Sequence, residues 1–222
     1  MKNSFSLTED NIVFTARPWA WKTSIWKRLA NDTWYNFIDF DDDILEKITE
    51  DTAIQAIEIL ELTNKKPKQL IEQEVRHLID ILWINNFSRL EWFIWKNLNL
   101  IWKNILSTSG SLPLRLDAMQ YLKQKWKVIY IDENMDRIIH RLKLMKDDRI
   151  IWMEKWKTLK EVLIDRDPYY KATRDIVFKV PDQKLVDVNN KKEVEKNIDF
   201  VYETFKLFLE QNNLYQPIWN IW

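Results

Sequence analysis

The sequence has 222 residues, and its 34 Lys and Arg are matched by 34 Asp and Glu, so the formal net charge is zero. A neutral chain is not typical of a protein held to nucleic acid by the charge of the phosphate backbone. No cysteine is present, which excludes disulfides, thiolate catalysis and cysteine metal sites. We find neither a signal peptide nor an apolar run of membrane-spanning length. We therefore expect one cytoplasmic, monomeric domain without a nucleic-acid or membrane partner.

Short apolar strands alternate with helical segments along the chain, after a polar stretch at 1–9 that we expect to be frayed. The predicted strands are 12–15, 36–40, 103–108, 127–132 and 176–180. The predicted helices are 22–32, 44–62 with a break near 49–51, 69–82, 86–100, 113–125, 134–145, 158–164, 167–173 and 191–211. Such alternation predicts a three-layer α/β fold, in which helices cover both faces of a five-stranded parallel sheet.

The stretch 11–30 has the layout of a phosphate-binding loop, because a strand and a short turn lead into Lys22 and Thr23 at the start of a helix. Such a loop needs glycine ahead of its lysine, so that successive backbone N–H groups can close on the phosphates. Trp19 and Trp21 occupy those places. An indole would fill the cradle, and tryptophan tolerates a positive φ poorly. The motif is therefore broken as it is written.

The composition offers an explanation. The chain has 13 Trp and one Gly, which together amount to about 6% of its residues, close to the roughly 7% glycine of a soluble domain. Both anomalies disappear if each Trp stands for a Gly. Trp34 and Trp126 follow predicted helices, and Trp83 follows a third, at positions where glycine supplies the left-handed cap. None of the 13 falls at a regular core spacing.

We hypothesise that the gene uses the codon UGA for glycine, and that the printed sequence reads UGA as tryptophan. The alternative is a genuine Trp-rich, non-enzymatic binding protein, whose indoles contact sugars, a membrane interface or a partner. With glycine restored, the loop becomes A-R-P-G-A-G-K-T. Its lysine would reach the β- and γ-phosphates, and the hydroxyl of Thr23 would ligate Mg²⁺. The alternative for Lys22 is an exposed lysine at an ordinary helix N-terminus.

Asp39 and Asp41 lie at the carboxyl end of the second predicted strand. At a spacing of two, both carboxylates can face the crevice where open α/β folds bind their ligands. One can hold Mg²⁺ through water, and the other can accept a proton from a substrate hydroxyl. The alternative is an acidic helix N-terminus, which explains the neighbouring Asp42 and Asp43.

Three arginines, Arg76, Arg149 and Arg166, have the geometry that suits bidentate recognition of carboxylate or phosphate. Taken singly, each such arginine is more often a solvated surface charge. The turn 107–111 ends the third predicted strand and contains the one glycine of the sequence, Gly110. It is either a tight turn or a source of N–H groups for a ligand.

Taken together, these motifs resemble the shikimate kinase family. That family has a phosphate-binding loop after its first strand, and its F-x-D-x-D signature is matched by Phe37-Ile38-Asp39-Phe40-Asp41. The further matches are E-x-x-F-R with 72–76, T-G-G-G with 108–111, a lid arginine with Arg149, and R-x-P-L-Y with 166–170. The order of the motifs is preserved across residues 11–212.

The resemblance implies where ATP and Mg²⁺ bind. Thr23 and Asp39 would serve Mg²⁺, while Arg149 would close over ATP and stabilise charge during phosphoryl transfer. The residues implied at the nucleotide are Pro18, Trp19, Ala20, Trp21, Lys22, Thr23, Ser24 and Arg149.

The resemblance also implies an acceptor site. Asp41 would orient the accepting hydroxyl and take its proton, Arg76 and Arg166 would hold the substrate carboxylate, and Ser109-Gly110-Ser111 would line the pocket. We therefore expect residues 1–222 to form a single P-loop NTPase-like kinase domain, with a helical substrate-binding segment at 42–100 and a lid at 146–160. Its reaction would be the ATP-dependent phosphorylation of shikimate to shikimate 3-phosphate. The alternative within the class is another small-metabolite kinase that acts on a carboxylate-bearing alcohol.

Overall fold

The computed structural model describes residues 5–18, 20–41, 46, 48–62, 64–71, 75–98, 100, 103–145, 157–183, 185, 187 and 190–217. Its strands are β1 (Phe5–Leu7), β2 (Asn11–Ala16), β3 (Asn36–Asp39), β4 (Asn104–Ser107), β5 (Lys127–Asp132), β6 (Ile176–Lys179) and β7 (Tyr215–Pro217). Its α-helices are α1 (Lys22–Thr33), α2 (Glu50–Ile59), α3 (Val75–Asn97), α4 (Leu116–Lys125), α5 (Met135–Met145), α6 (Leu159–Ala172) and α7 (Lys191–Gln211). Short 3₁₀ turns lie at Pro67–Gln69 and Leu112–Leu114.

Five strands form a parallel sheet in the order β3-β4-β2-β5-β6, as predicted. The register pairs Ile12 of the central strand β2 with Ile105 of β4 on one side and with Lys127 of β5 on the other. Because all five strands run in the same direction, the turns after β2, β3 and β4 lie at one edge of the sheet. That edge is where an open α/β sheet binds its ligand.

Side chains that alternate along the strands feed two core layers, one on each face of the sheet. Phe14 and Ile129 pack with α1, α5, α6 and α7, whereas Val13 and Val128 pack with α2, α3 and α4. Helices thus cover both faces, which explains why the strands are almost uniformly apolar. The fold is the predicted three-layer, P-loop NTPase-like α/β architecture. None of the helices among the described residues is long and apolar enough to span a bilayer.

Several element predictions were wrong. The segment 1–9 was expected to be frayed, but β1 pairs with β7 in a small antiparallel sheet; strands of three residues are too short to show a period. One helix, α3, replaces the two predicted at 69–82 and 86–100, and α6 likewise replaces two, with Pro168 inside it.

The tryptophan positions agree only in part with the glycine hypothesis. Trp34 adopts the predicted left-handed conformation after α1, with φ 62°. Trp126 follows α4 but is extended, with φ −142°, and Trp83 lies inside α3, so both of these cap predictions were wrong. The prediction that none of the 13 tryptophans falls at a regular core spacing was also wrong, because Trp26 and Trp95 are fully buried in the core.

Candidate active site

The turn between β2 and α1 has the backbone conformation of a glycine at its last residue. Trp21, directly before Lys22, has φ 58° and ψ 8°. A non-glycine residue held in this left-handed region costs about 1–3 kcal/mol. The Trp21 ring lies beneath the guanidinium of Arg141, with Cζ 4.6 Å from the ring centroid. Trp19, the other predicted loop position, lies outside the described residues.

Lys22 is a buried lysine at the site and not the exposed one of the alternative interpretation. Its Nζ donates a hydrogen bond to the carbonyl oxygen of Thr108 and lies 3.4 Å from Oδ2 of Asp41. The side chain of Asp41 is 52% exposed. Lys22 therefore connects the turn after β2 with those after β3 and β4, at the edge where the sheet presents its ligand site.

Thr23 and Asp39 are in direct contact. The Thr23 hydroxyl donates to Oδ2 of Asp39 at 2.8 Å, while Oδ1 of the buried Asp39 accepts from the backbone N–H of Asp41 at 3.2 Å. A hydroxyl beside a carboxylate suits Mg²⁺, which takes oxygen ligands and uses one or two protein groups together with water and substrate phosphates. Within the described residues, no cluster of three His, Cys, Asp or Glu could hold a metal.

The turn 109–111 is tightly held. Oγ of Ser109 and Oγ of Ser111 are 3.2 Å apart, and both serines are buried. Burial raises the pKa of Tyr170 to about 12, and its hydroxyl donates to the carbonyl oxygen of Gly110 at 2.7 Å. A Cβ on Gly110 would come within 3.3 Å of Cγ of Pro18, so the turn also contacts the loop after β2.

Glu91 was not predicted to belong to the site. It lies on α3, is completely buried, and accepts a 3.0 Å hydrogen bond from the hydroxyl of Ser111. Burial raises the pKa of Glu91 to about 7; hydrogen bonds from Ser109 and Ser111 and the charge of Lys22 act to lower it, and the charge of Asp41 acts to raise it. The signal in the sequence was an acidic residue within the apolar helical run around Leu90 and Ile94.

The structure describes two of the three arginines that were predicted to belong to the site, and it brings one of them close to the serine turn at 109–111. Arg166 is buried on α6, one turn before Tyr170, and hydrogen-bonds to that side chain. Tyr170 in turn contacts the turn at Gly110, so Arg166 lies beside the proposed acceptor pocket. Arg76 lies in the first turn of α3, and its substrate role stays a prediction. Arg149 lies outside the described residues, as does most of the predicted lid.

Arg17 is a second residue that the sequence analysis missed. It is buried in the loop after β2 and donates at 2.9 Å to Oδ1 of Asp132 and at 2.9 Å to the carbonyl oxygen of Glu133. It also forms an ion pair with Asp167. Burial acts to raise the pKa of Asp167, but hydrogen bonds and charge from Lys171 and Arg17 hold it below its ordinary value. Arg17 thus connects the loop with β5 and with α6, the helix that carries Arg166.

The site brings together a lysine after the central strand, a hydroxyl–carboxylate pair and an aspartate at the neighbouring strand end. This is the set of groups that is typical of P-loop folds that bind nucleotide phosphates. The shikimate kinase family model matches residues 20–198. The chain belongs to the shikimate kinase family.

Two curated relatives show different coverage. Threonine synthase-like 1 of Pongo abelii is 30% identical over 174 residues, which are 78% of this chain but 20% of that protein. The chain thus spans about a fifth of the length of this relative. Shikimate kinase of Alkaliphilus oremlandii is 25% identical over 181 residues, 80% of this chain and 94% of the relative.

Solved structures share the fold. Shikimate kinase from Bacteroides thetaiotaomicron has a TM-score of 0.62 at 19% identity and covers 90% of this chain and 98% of its own. Shikimate kinase from Acinetobacter baumannii, in complex with shikimate, has a TM-score of 0.61 at 17% identity and covers 92% of this chain and 95% of its own.

Proposed function

We propose that this chain transfers the γ-phosphoryl group of ATP to a hydroxyl of a small carboxylate-bearing alcohol, and that shikimate, phosphorylated to shikimate 3-phosphate, is the acceptor to test first. One observation carries the proposal: Lys22 lies 3.4 Å from Asp41 while the adjacent Thr23 lies 2.8 Å from Asp39. These contacts support the proposal, because they bring a lysine, a hydroxyl–carboxylate pair and a second carboxylate to one edge of the sheet. Family membership supports shikimate as the acceptor.

The residues of the chain would act by positioning and electrostatics. Lys22 and the backbone N–H groups of the loop hold the phosphates, and Arg166 holds the acceptor carboxylate. Asp41 orients the accepting hydroxyl and takes its proton as the new bond to phosphorus forms. No covalent intermediate with the chain is needed, because the reactants are held in line for direct transfer.

Thr23 and Asp39 would hold Mg²⁺ together with the nucleotide. When bound, the ion neutralises charge on the β- and γ-phosphates. A lid at 146–160 with Arg149, a contribution of Arg76 to carboxylate binding, and a monomeric state in the cytoplasm remain predictions.

We also propose that glycine stands at the Trp positions of the natural chain. Left-handed backbone at Trp21 and Trp34 supports this. So do the buried indole N–H groups of Trp21, Trp26 and Trp95, which have no hydrogen-bond partner among the described residues, whereas a buried indole N–H usually has one. The ring centroids of Trp26 and Phe14 are 3.5 Å apart, which is closer than the 4.5–7 Å between ring centroids that aromatic pairs prefer. The 13 codons decide the matter: UGG codons, or a mixture, would contradict the proposal.

The kinase proposal is tested by a coupled ADP-release assay with ATP and shikimate on the glycine-containing chain. We expect Lys22→Ala and Asp41→Asn each to lower kcat by about 100-fold or more. A matched control is Lys206→Ala, because Lys206 lies on α7, where it pairs with the exposed Glu203 and lies over the ring of Tyr202 in the same helix. Near-wild-type turnover in either site variant would contradict the assigned role.

A further inference from the structure

An ion pair joins the loop after β2 to the turn of α6 that carries Arg166. The guanidinium of the buried Arg17 pairs with Oδ1 of Asp167, the residue that follows Arg166. It also donates to Oδ1 of Asp132, the last residue of β5, and to the carbonyl oxygen of Glu133. Because three oxygens hold the planar guanidinium, it fixes Asp167 relative to both the loop and β5.

The turn of α6 that carries Arg166 and Asp167 also contains a proline. Pro168 lies inside the helix, and its nitrogen cannot donate a backbone hydrogen bond to the carbonyl oxygen of Ile164. A proline at such a place weakens and bends a helix over one turn, so the direction of Arg166 needs support from outside the helix. Successive residues of a helix lie about 100° apart around its axis. A contact that fixes Asp167 therefore fixes the rotation of the turn and the direction of Arg166.

A second series of contacts connects the same turn of α6 to the acceptor side of the site. The Tyr130 hydroxyl lies 3.5 Å from Oδ1 of Asp167. The Tyr130 ring is nearly parallel to that of Tyr170, with 6.0 Å between the ring centroids. The Tyr170 hydroxyl donates to the carbonyl oxygen of Gly110, which packs against Pro18 in the loop after β2. The contacts thus run from the loop through α6 to the turn 109–111 and back to the loop.

We propose that Arg17 and Asp167 are a positioning pair, which holds Arg166 at the acceptor carboxylate although neither member of the pair touches the acceptor. The pair does so by fixing the proline-containing turn of α6 against the loop that holds the nucleotide phosphates. Direct transfer requires the two reactants in a set geometry, and a misplacement of about 1 Å can cost on the order of 100-fold in rate. This inference rests on the proposed kinase function and adds to it two residues that no motif of the sequence indicated.

Steady-state kinetics with ATP and shikimate, on the full chain carrying glycine at the 13 Trp positions, test the pair. We expect Asp167→Ala and Arg17→Met each to raise the KM for shikimate about tenfold or more, because Arg166 is no longer held in place. In Asp167→Ala the KM for ATP should change by less than about threefold, since Asp167 lies outside the phosphate loop. The double variant should be no worse than the poorer single variant, because both changes break the same contact.

Lys171→Ala is the matched control, because the exposed Lys171 pairs with the other carboxylate oxygen of Asp167. It should leave both KM values unchanged. Thermal unfolding shows which variants are folded, and Asp167→Asn, which keeps the size of the side chain, takes the place of Asp167→Ala if the latter does not fold.

Two outcomes would overturn this inference and leave the kinase proposal standing. One is a lowered Tm in Asp167→Ala with an unchanged KM for shikimate, which would indicate a purely structural role. The other is an equal rise in the KM for ATP and for shikimate in that variant, which would indicate general damage to the site. Failure of the unsubstituted glycine-containing chain to phosphorylate shikimate would count against both proposals.

Discussion

The hydroxyl of Thr23 donates a 2.8 Å hydrogen bond to the carboxylate of Asp39, which joins the first turn of α1 to the end of β3. Two segments 16 residues apart in the sequence thereby form one oxygen-lined position beside Lys22. The pair is what we expect of a site that binds Mg²⁺ together with a nucleotide.

Replacing Thr23 by Val should raise the Mg²⁺ concentration needed for half-maximal activity by about tenfold or more, because one oxygen ligand is lost while the size of the side chain is kept. Activity measured over a Mg²⁺ titration at saturating ATP checks this. Thr204→Val is the control, since the Thr204 hydroxyl donates within α7, to the carbonyl oxygen of Phe200. An unchanged Mg²⁺ requirement in Thr23→Val would remove Thr23 from the metal site.

Replacing Arg17 by Ala should lower the free energy of unfolding by about 2–4 kcal/mol, because its buried guanidinium has two carboxylate partners and a carbonyl that would lose their donor. Urea unfolding measures the change. Arg28 offers a matched comparison, because it also pairs with two carboxylates, those of Glu195 and Asp199, but these are largely exposed. Arg28→Ala should cost about 0–1 kcal/mol. Equal losses in the two variants would refute the special role of Arg17.

Glu91 makes stability depend on pH. Its pKa is raised by burial from 4.5 to about 7 in the folded chain, so the folded state binds the proton more tightly than the unfolded state. The stabilisation is complete below about pH 4.5 and is lost as the pH rises to about 7, with a size on the order of 3 kcal/mol. Glu91→Gln should lack this component. The measurement is urea unfolding of both proteins from pH 4.5 to 8, and a stability difference that does not change with pH would contradict the assignment.

In the chain as printed, replacing Trp34 by Gly should raise the free energy of unfolding by about 1 kcal/mol, because it relieves a left-handed residue. The Trp34 side chain is 79% exposed, so little packing is lost. Trp126→Gly is the comparison, since Trp126 is extended and packs against the core, and it should destabilise the protein. Destabilisation by both changes, measured in urea, would weaken the case that backbone strain marks former glycines.

The sequence predicted the features that depend on local pattern. The alternation of strands and helices was sufficient to predict the five-stranded parallel sheet. The spacing of Asp39 from Asp41 predicted that both lie at the end of one strand, where Asp41 is 3.4 Å from Lys22. Glu91 and Arg17 were missed because their partners are far away in the sequence. Ser111 is 20 residues from Glu91, and Asp167 is 150 residues from Arg17. Only the folded sheet brings such pairs together.

The tryptophans show a second limit. Composition and motif both indicated glycine at Trp21, and the left-handed backbone there agrees. Trp26 was misjudged because it follows Ile25 and precedes Leu29 on the buried face of α1, a spacing that suits a core residue equally well. The periodicity of the sequence is the same for a tryptophan that is native to the core and for one that is printed in place of a glycine.

The most direct measurement is a calorimetric titration of ATP, with Mg²⁺ present, into two versions of the full chain. One version carries the 13 tryptophans and the other carries glycine at those positions. We predict micromolar affinity for the glycine version, because its loop can close on the phosphates, and an affinity at least about 100-fold weaker for the tryptophan version. Equal micromolar binding by both would contradict the glycine-loop account, and no binding by the glycine version would contradict the kinase assignment itself.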